Sequence, residues 1–253
     1  MKNLVLPIAL MATIGVGSSL AQTVGAVAVA NYAGFNGSFP VAPGSIASAY
    51  GDFGSVATTT APTLSPMPRE LAGLRIRVNN VDAPLYFVSR NQINLVIPVG
   101  TPTGRQPVEV VSGGTAVARG FAHVYDIGPA LAAGDTTPAR QGIVQNQDFS
   151  VNSANAKARR GDIIQIYATG CGTVVPALQD GAPPAGLSSA TAQVKVYVSV
   201  EEAPVSFAGA HPQFPGICQI NATVPNRPYI SGQVPIYFTA NGVNSNPVTI
   251  WVE

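Results

Sequence analysis

Apolar and polar residues alternate along most of the chain, which is the pattern of strands with one buried face. In one short run, Leu74, Ile76 and Val78 lie on one face and two arginines lie on the other. Residues 194–198 repeat that arrangement. Outside the first residues, no segment has the apolar spacing of an amphipathic helix. The pattern therefore predicts an all-β protein built from short strands.

One set of motifs occurs twice in the same order. Residues 83–87 read Ala-Pro-x-x-Phe and are followed by Gln-Ile-Asn at 92–94. Residues 203–207 read Ala-Pro-x-x-Phe again and are followed by Gln-Ile-Asn at 219–221. We interpret the repeat as two homologous domains of immunoglobulin size. The phenylalanine of each copy is expected to lie in the core.

Glycine, proline and asparagine separate the predicted strands, as at the turn signals Asn79-Asn80 and Asn241-Gly242, the second of which is typical of a hairpin turn. Short strands divided by such turns favour two tandem immunoglobulin-like β-sandwiches joined by a connector with a small β-hairpin. The predicted parts are a signal peptide (1–21), a first domain (22–126), the connector (127–160) and a second domain (161–253). We expect the hairpin to turn near Asp148, and the connector to pack between the domains and hold their angle.

The N-terminus has the features of a secretory signal. Lys2 precedes an apolar run, and small residues precede Ala21, after which cleavage is expected. The run is shorter than the roughly 20 residues of a membrane-spanning helix, although an uncleaved anchor remains the alternative. This segment predicts a secreted protein, located in the periplasm, at the cell surface or outside the cell.

Cys171 and Cys218 are the only cysteines. Export to an oxidising compartment favours a disulfide between them, while two buried free thiols are the alternative. Charged residues make up 10% of the chain and the net charge is +1. This balance argues against nucleic-acid binding, which needs clustered lysine and arginine.

Several motifs together resemble the Solibacter-type uncharacterised C-terminal domain family, over roughly residues 24–252. They are residues 41–46, 78–85, the two Gln-Ile-Asn strands, 146–148, 167–170 and 244–249. In that family the module usually ends much larger secreted bacterial proteins, and its halves are similar to IPT/TIG immunoglobulin-like domains. The resemblance implies location and fold, with no established activity to carry over.

The chain departs from the family pattern at two places. Phe149 stands where the family favours glycine, and Cys171 and Cys218 stand where apolar residues are usual. The first departure bears on the tight turn of the connector hairpin, because positive φ angles suit glycine.

Candidate chemistry is sparse. His211 with Cys218 or Cys171 is the best pair of base and nucleophile, but an inward or bonded cysteine could not react. Glu201 and Glu202 are expected on a solvated turn. Asp135, Asp148 and Asp162 lack the spacing of a calcium loop. We therefore expect no catalytic residues, no cofactor and no metal site.

Aromatic residues on an outer sheet face could bind a ligand. Trp251, Tyr237 and Tyr197 alternate with apolar residues and are the candidate ligand contacts, although packing against the connector or the other domain is the alternative for Trp251. The repeated Gln92 and Asn94, like their counterparts in the second copy, form either a binding strip or hydrogen bonds that hold neighbouring loops.

These observations predict a secreted, non-catalytic binding, adhesion or structural module. Its partner would be an unknown extracellular protein or a polysaccharide, without nucleic acid and without membrane insertion after signal cleavage. A carbohydrate-binding module and a secreted hydrolase are the alternatives, and self-association through strand edges is a further one.

Overall fold

A computed structural model describes residues 24–33, 40–135, 137 and 139–253. The predicted signal peptide lies outside these residues. Twenty-one strands run through the described part of the chain, which contains no helix. Accordingly, none of the described segments is a helix long and apolar enough to cross a bilayer. The alternating pattern thus produces the all-β fold that it predicts.

The first sandwich is built from nine strands. They are β1 (Gly25–Asn31), β2 (Ile46–Gly51), β3 (Thr59–Thr60), β4 (Leu74–Val78), β5 (Val81–Asp82), β6 (Leu85–Val88), β7 (Gln92–Val96), β8 (Gly104–Ser112) and β9 (Thr115–Val124). Hydrogen bonding follows the order β3-β6-β7-β2-β1-β9-β8-β4-β5. Strand β1 pairs antiparallel with β2 and parallel with β9, and so connects the two layers.

The core of the first sandwich lies between these layers. Leu74, Ile76 and Val78 of β4 are fully buried, while the arginines between them face outward. Ile93 and Leu95 of β7 belong to the same apolar cluster from the opposite layer. Full burial of each of these side chains stabilises the fold by about 1.5–3 kcal/mol, which explains why the alternation decides the layers.

The second sandwich contains the remaining strands. They are β10 (Ala130–Leu131), β11 (Val144–Gln145), β12 (Ile163–Thr169), β13 (Val174–Val175), β14 (Ser189–Ala190), β15 (Val194–Val198), β16 (Glu201–Ala203), β17 (Val205–Ala210), β18 (Cys218–Thr223), β19 (Gly232–Ala240), β20 (Val243–Asn244) and β21 (Val248–Val252). One sheet has the order β10-β12-β18-β17-β14-β13, with β11 also on β12; the other has β16-β15-β19-β20, with β21 also on β19. Ile166 and Ile220 of the first sheet share a core with Phe238 and Ile250 of the second.

The two copies of the repeated motif fold alike. The pairing of β6 with β7 shifts register between Leu85 and Phe87, and the pairing of β17 with β18 shifts between Val205 and Phe207. Each shift adds a residue to the strand, so the alternation slips and the phenylalanine leaves the core side. The expectation that both phenylalanines are core residues is therefore wrong, since Phe87 and Phe207 are half-buried.

Both predicted turns are confirmed, and each of them joins the two strands of a hairpin. Val78 pairs with Val81 across Asn79-Asn80, and Ala240 pairs with Val243 across Asn241-Gly242. All four turn residues have positive φ angles. Asparagine and glycine tolerate that conformation better than other residues, so the sequence specifies these turns locally.

The connector belongs mainly to the second sandwich rather than between the two. Strands β10 and β11 both pair with β12. The buried Asn246 side chain accepts from the Leu131 amide at 2.9 Å and donates to the Leu131 carbonyl at 3.0 Å. The Asn152 side chain bridges the Trp251 amide and carbonyl in the same way, at 2.8 Å each. Paired side-chain amides therefore attach the connector at two places.

The connector hairpin turns at Asp148, as expected. The Phe149 amide donates to the Asn146 carbonyl at 2.9 Å, and Phe149 has a φ of +66°. The Asp148 carboxylate accepts from the side chain and the amide of Ser150, and these bonds lower its pKa. The tight turn thus forms although phenylalanine occupies the position that favours glycine.

Cys171 and Cys218 form a disulfide, with a sequence separation of 47. Both are buried within the core of the second sandwich. Closing a loop of this length stabilises the fold by about 4 kcal/mol in the chain-entropy model. The structure therefore contains the expected disulfide rather than two buried free thiols.

Candidate functional site

The sandwiches meet through an apolar contact, which we call the joint. Ile46, Met67 and Val96 of the first sandwich are buried there, and Tyr86 and the second sandwich's Ile217 pack against them. Ile46 and Val96 point to the outer face of their sheet, because their strand neighbours Ala47, Leu95 and Ile97 belong to the core of the first sandwich. Part of one outer face is therefore covered by the second sandwich.

Hydrogen bonds also connect the two sandwiches at the joint. The Tyr86 hydroxyl donates to the Pro215 carbonyl at 2.5 Å, and burial raises the pKa of this phenol. The Thr169 hydroxyl accepts from the Ile46 amide at 2.9 Å and donates to the Gly216 carbonyl at 2.8 Å. Since these bonds act together with apolar packing, we expect the joint to restrict rotation of one sandwich against the other.

Contacts at either side widen the joint. The Val99 amide donates to the Asp180 carboxylate at 2.7 Å, and the Met67 amide donates to the Gly181 carbonyl at 2.7 Å. At the start of the connector, the Asn31 side chain donates to the Gly128 carbonyl at 2.9 Å. This first part of the connector therefore lies between the sandwiches, whereas strands β10 and β11 pair within the second one.

His211 holds the loop that supplies the second sandwich's side of the joint. Its side chain is 7% exposed, and its Nδ1 accepts from the amides of Gln213 and Phe214 at 3.0 and 3.1 Å. The ring also lies 5.5 Å from that of Tyr167. Burial lowers the pKa of His211, so the neutral, accepting form is favoured.

A cleft of about 210 Å³ lies beside the disulfide, between the two sandwiches. Glycines such as Gly44, Gly170 and Gly216 line much of it, together with Val99 and Leu178. None of its lining residues, all of them in the described ranges, carries an ionisable side chain apart from the bonded cysteines. The cleft can therefore hold a small apolar group but supplies no acid or base.

The structure brings two of the three predicted aromatic contacts together. Tyr197 and Tyr237 are directly opposite each other on β15 and β19, and their rings stack with centroids 4.9 Å apart. Trp251 lies opposite Gln233, four residues along β19 from Tyr237, and is half-buried. Four residues of a strand span about 13 Å, so Trp251 does not extend the tyrosine pair.

Charged groups flank that pair. Lys195 lies 3.1 Å from Glu202, which raises the pKa of the lysine. The Tyr197 hydroxyl donates to the same carboxylate at 3.5 Å. Each ring also offers only one free face, because the other is stacked on its neighbour. The pair is thus a limited binding surface.

The residues considered for catalysis are engaged elsewhere. Cys171 and Cys218 are bonded to each other, so neither can provide a thiolate to act with His211. Glu201 lies in strand β16 rather than a turn and binds Arg227, whereas its neighbour Glu202 binds Lys195. Adjacent strand residues face opposite sides, so these carboxylates cannot act as a pair.

The three aspartates considered for calcium do not share one site, although Asp148 and Asp162 both lie near Arg159. Asp135 accepts from Thr137 and from the Gln141 amide, while Asp148 binds Ser150. In the part of the chain that the structure describes, no three His, Cys, Asp or Glu side chains gather where they could hold a metal ion.

The repeated glutamines and asparagines bind each other on the outer faces of their sheets. Gln92 Nε2 donates to Asn94 Oδ1 at 2.7 Å, and Gln219 Nε2 donates to Asn221 Oδ1 at 2.9 Å. The interpretation that they hold backbone groups of neighbouring loops is therefore wrong. Their partners are side chains, including that of Ser48, which donates to Asn94 Oδ1 at 2.9 Å.

Tyr50 belongs to the same surface, and the sequence analysis did not single it out. It lies directly opposite Gln92 and is 48% exposed. Its signal in the sequence is the alternation of Ala47 and Ala49 with Ser48 and Tyr50, which places the tyrosine on the polar face.

No family model matches the chain, and no curated protein matches it. Among solved structures, the chain is similar to SGBP-B from the mixed-linkage glucan utilization locus of Bacteroides ovatus, which was solved in complex with a mixed-linkage heptasaccharide. The two chains are 11% identical, with a TM-score of 0.34, and the alignment covers 85% of this chain and 43% of SGBP-B. SGBP-B from a xyloglucan utilization locus of Bacteroides uniformis is 13% identical with a TM-score of 0.28, covering 89% and 47%. The Escherichia coli adhesin FdeC is 15% identical with a TM-score of 0.27, covering 92% and 65%.

The chain thus spans less than half the length of the first two of these proteins. All three TM-scores are too low for the likeness to support a statement about function or shared architecture. The fold is defined by the strand pairing and the cores of this chain itself.

Proposed function

We propose that this protein is a secreted, non-catalytic binding module, in which two immunoglobulin-like sandwiches present their outer sheet faces in one fixed arrangement. The observation that carries the proposal is the joint. Apolar side chains and the bond from Tyr86 to the Pro215 carbonyl hold the two bodies together. A surface that is already ordered loses less entropy when it binds, so such a joint favours recognition.

The disulfide supports the location in this proposal. A buried bond between Cys171 and Cys218 persists in an oxidising compartment and is rare in the cytosol. We also propose that the chain belongs to the Solibacter-type family and begins with a signal peptide at residues 1–21.

Binding and catalysis can be separated directly. The protein, expressed with its own N-terminus and purified from the extracytoplasmic fraction, is incubated with a panel of insoluble polysaccharides and extracellular proteins. We expect retention on at least one of them, without release of soluble products. Release of sugars or peptides by the purified protein, or recovery of the chain only from the cytoplasm, would contradict the proposal.

Polysaccharide binding at the tyrosine pair is the second candidate. It is favoured by the stacked rings of Tyr197 and Tyr237, which lie on an outer sheet face and each keep one ring face that the other does not cover. Replacing Tyr237 with alanine should then weaken retention on the polysaccharide, whereas Trp251→Ala should not, because Trp251 lies apart from the pair.

A further inference from the structure

The outer face of the first sandwich carries a second group of outward side chains, away from the tyrosine pair. Tyr50 on β2 lies opposite Gln92 on β7, and Asn94 on β7 lies opposite Phe87 on β6. Residues that face each other across neighbouring strands have Cβ atoms about 4.5–5.5 Å apart. We call these four residues the amide face, because two carboxamides lie at its centre.

The hydrogen bonds of the amide face leave specific polar atoms free. Gln92 uses Nε2 and Asn94 uses Oδ1 in their mutual bond. Gln92 Oε1 and Asn94 Nδ2 have no partner among the described residues. The two bonded carboxamides therefore keep one free acceptor and one free donor, on half-buried residues. Gln92 lies opposite Tyr50, which is 48% exposed.

This combination fits one class of ligand. A sugar hydroxyl both donates and accepts, so neighbouring hydroxyls can bind an adjacent acceptor and donor. The apolar face of a sugar ring can lie on an aromatic ring such as that of Tyr50. The four residues include no Asp, Glu, Lys, Arg or His, and the nearby Asp52 and Arg90 bind each other at 3.1 Å. A neutral polysaccharide matches this surface better than a polyanion.

The second copy provides an internal comparison. Tyr167 lies opposite Gln219, and Asn221 lies opposite Phe207, in the same arrangement. There, however, the Tyr167 hydroxyl donates to Gln145 Oε1 at 2.5 Å and its ring lies against His211. Gln219 Nε2 also donates to Gln165 at 3.3 Å. The tyrosine of the second copy is thus bound by other side chains of the protein, whereas Tyr50 of the first copy is exposed.

We propose that the amide face of the first sandwich binds a neutral polysaccharide, with Tyr50 stacking on a sugar ring and with Gln92 Oε1 and Asn94 Nδ2 binding its hydroxyls. This inference rests on the proposed binding function and names its ligand class and its surface. The corresponding residues of the second copy hold the connector strand and the loop of His211 instead.

Affinity electrophoresis tests the proposal, using native gels that contain hydroxyethyl cellulose, dextran or galactomannan, with alginate as the charged polysaccharide. We expect at least one neutral polymer, but not alginate, to retard the wild-type protein. Tyr50→Ala and Gln92→Ala should each raise the dissociation constant by about tenfold, which corresponds to about 1.4 kcal/mol.

The second copy supplies matched controls. Gln219→Ala removes the equivalent bond to Asn221, and Tyr167→Phe removes the equivalent hydroxyl, so both should bind like the wild type. Thermal unfolding checks that each variant is folded, and Gln92→Ala keeps the test valid if Tyr50→Ala is unstable.

Any of several results would overturn the inference. One is that none of the neutral gels retards the wild-type protein. Another is that folded Tyr50→Ala and Gln92→Ala bind the polymer as tightly as the wild type. A further one is that Gln219→Ala loses as much affinity as these two variants. A loss confined to Tyr237→Ala would overturn it as well, by locating the ligand on the tyrosine pair. Retention on an extracellular protein, without retardation by any polysaccharide, would reject this inference while leaving the broader binding function standing.

Discussion

Replacing Gly216 with alanine is the most direct test of the joint. Gly216 has a φ of +82°, and a Cβ atom added there would lie 2.7 Å from Ile46 Cγ1 and 3.2 Å from Val96 Cγ2. Both of those atoms belong to the first sandwich, whereas Gly216 belongs to the second. The added methyl group would therefore push the two sandwiches apart.

The expected cost has two parts. Alanine in the left-handed conformation costs about 1–2 kcal/mol, and inserting a methyl group into a packed contact costs about 1–3 kcal/mol. The sum is about 2–5 kcal/mol. Gly242→Ala is the matched control, because Gly242 has a φ of +81° and no heavy atom within 4 Å of the added Cβ. Gly242→Ala should therefore lose only the backbone cost of about 1–2 kcal/mol.

Urea unfolding measures the free energies, and small-angle X-ray scattering measures the radius of gyration. We expect Gly216→Ala to lose about 1–3 kcal/mol more than Gly242→Ala. Separation of the sandwiches would relieve the clash, so this variant should also have a larger radius of gyration, or two unfolding transitions in place of one. Equal losses in the two variants, within about 0.5 kcal/mol, together with unchanged scattering, would refute the idea that the joint is a close-packed contact.

Three further predictions concern the second sandwich. Phe149→Gly should stabilise the protein by about 0.5–1 kcal/mol, because Phe149 has a φ of +66° and glycine removes that backbone strain at some cost in chain entropy. A urea midpoint of Phe149→Gly at or below that of the wild type, or of Phe149→Ala, would count against this prediction. Burial lowers the pKa of folded His211, so the unfolded chain takes up the proton first, and stability should fall as the pH drops below the ordinary value of 6.5. Unfolding measured against pH should show a weaker decline in His211→Asn, whose side-chain oxygen can still accept the amide bonds, and identical declines would contradict the role of His211. Removing the disulfide with the double variant Cys171→Ala, Cys218→Ala should cost about 4 kcal/mol, and an unchanged urea midpoint would exclude that contribution.

Local features of the chain were predictable because they depend on neighbours in sequence. The alternation around Ile76 assigns a buried and an exposed face, and Asn241-Gly242 adopts the positive φ angles of a two-residue turn. The repeated motifs indicated two similar units, and their cysteines indicated a disulfide. Each of these inferences uses only the period of a strand, the conformational freedom of a turn residue, or the chemistry of one side-chain type.

The errors arose where tertiary structure changes a local rule. A bulge shifts the alternation by one residue, which moves Phe87 and Phe207 out of the core. The connector contains strands, but the alternation did not say that their partner would be β12. Hydrogen bonding between strands depends on which edges meet, and that choice involves residues far apart in the chain.

The sequence by itself determined the strands and the turns, because period and turn chemistry act over a few residues, and it indicated the duplication and favoured the disulfide. Only the tertiary structure decided where the sandwiches meet and which aromatic side chains share a surface. Ile46 and Gly216 lie far apart in sequence, and alternation gives a side chain's face without saying what covers that face. For that reason Tyr50 is open while its counterpart Tyr167 is engaged by Gln145 and His211.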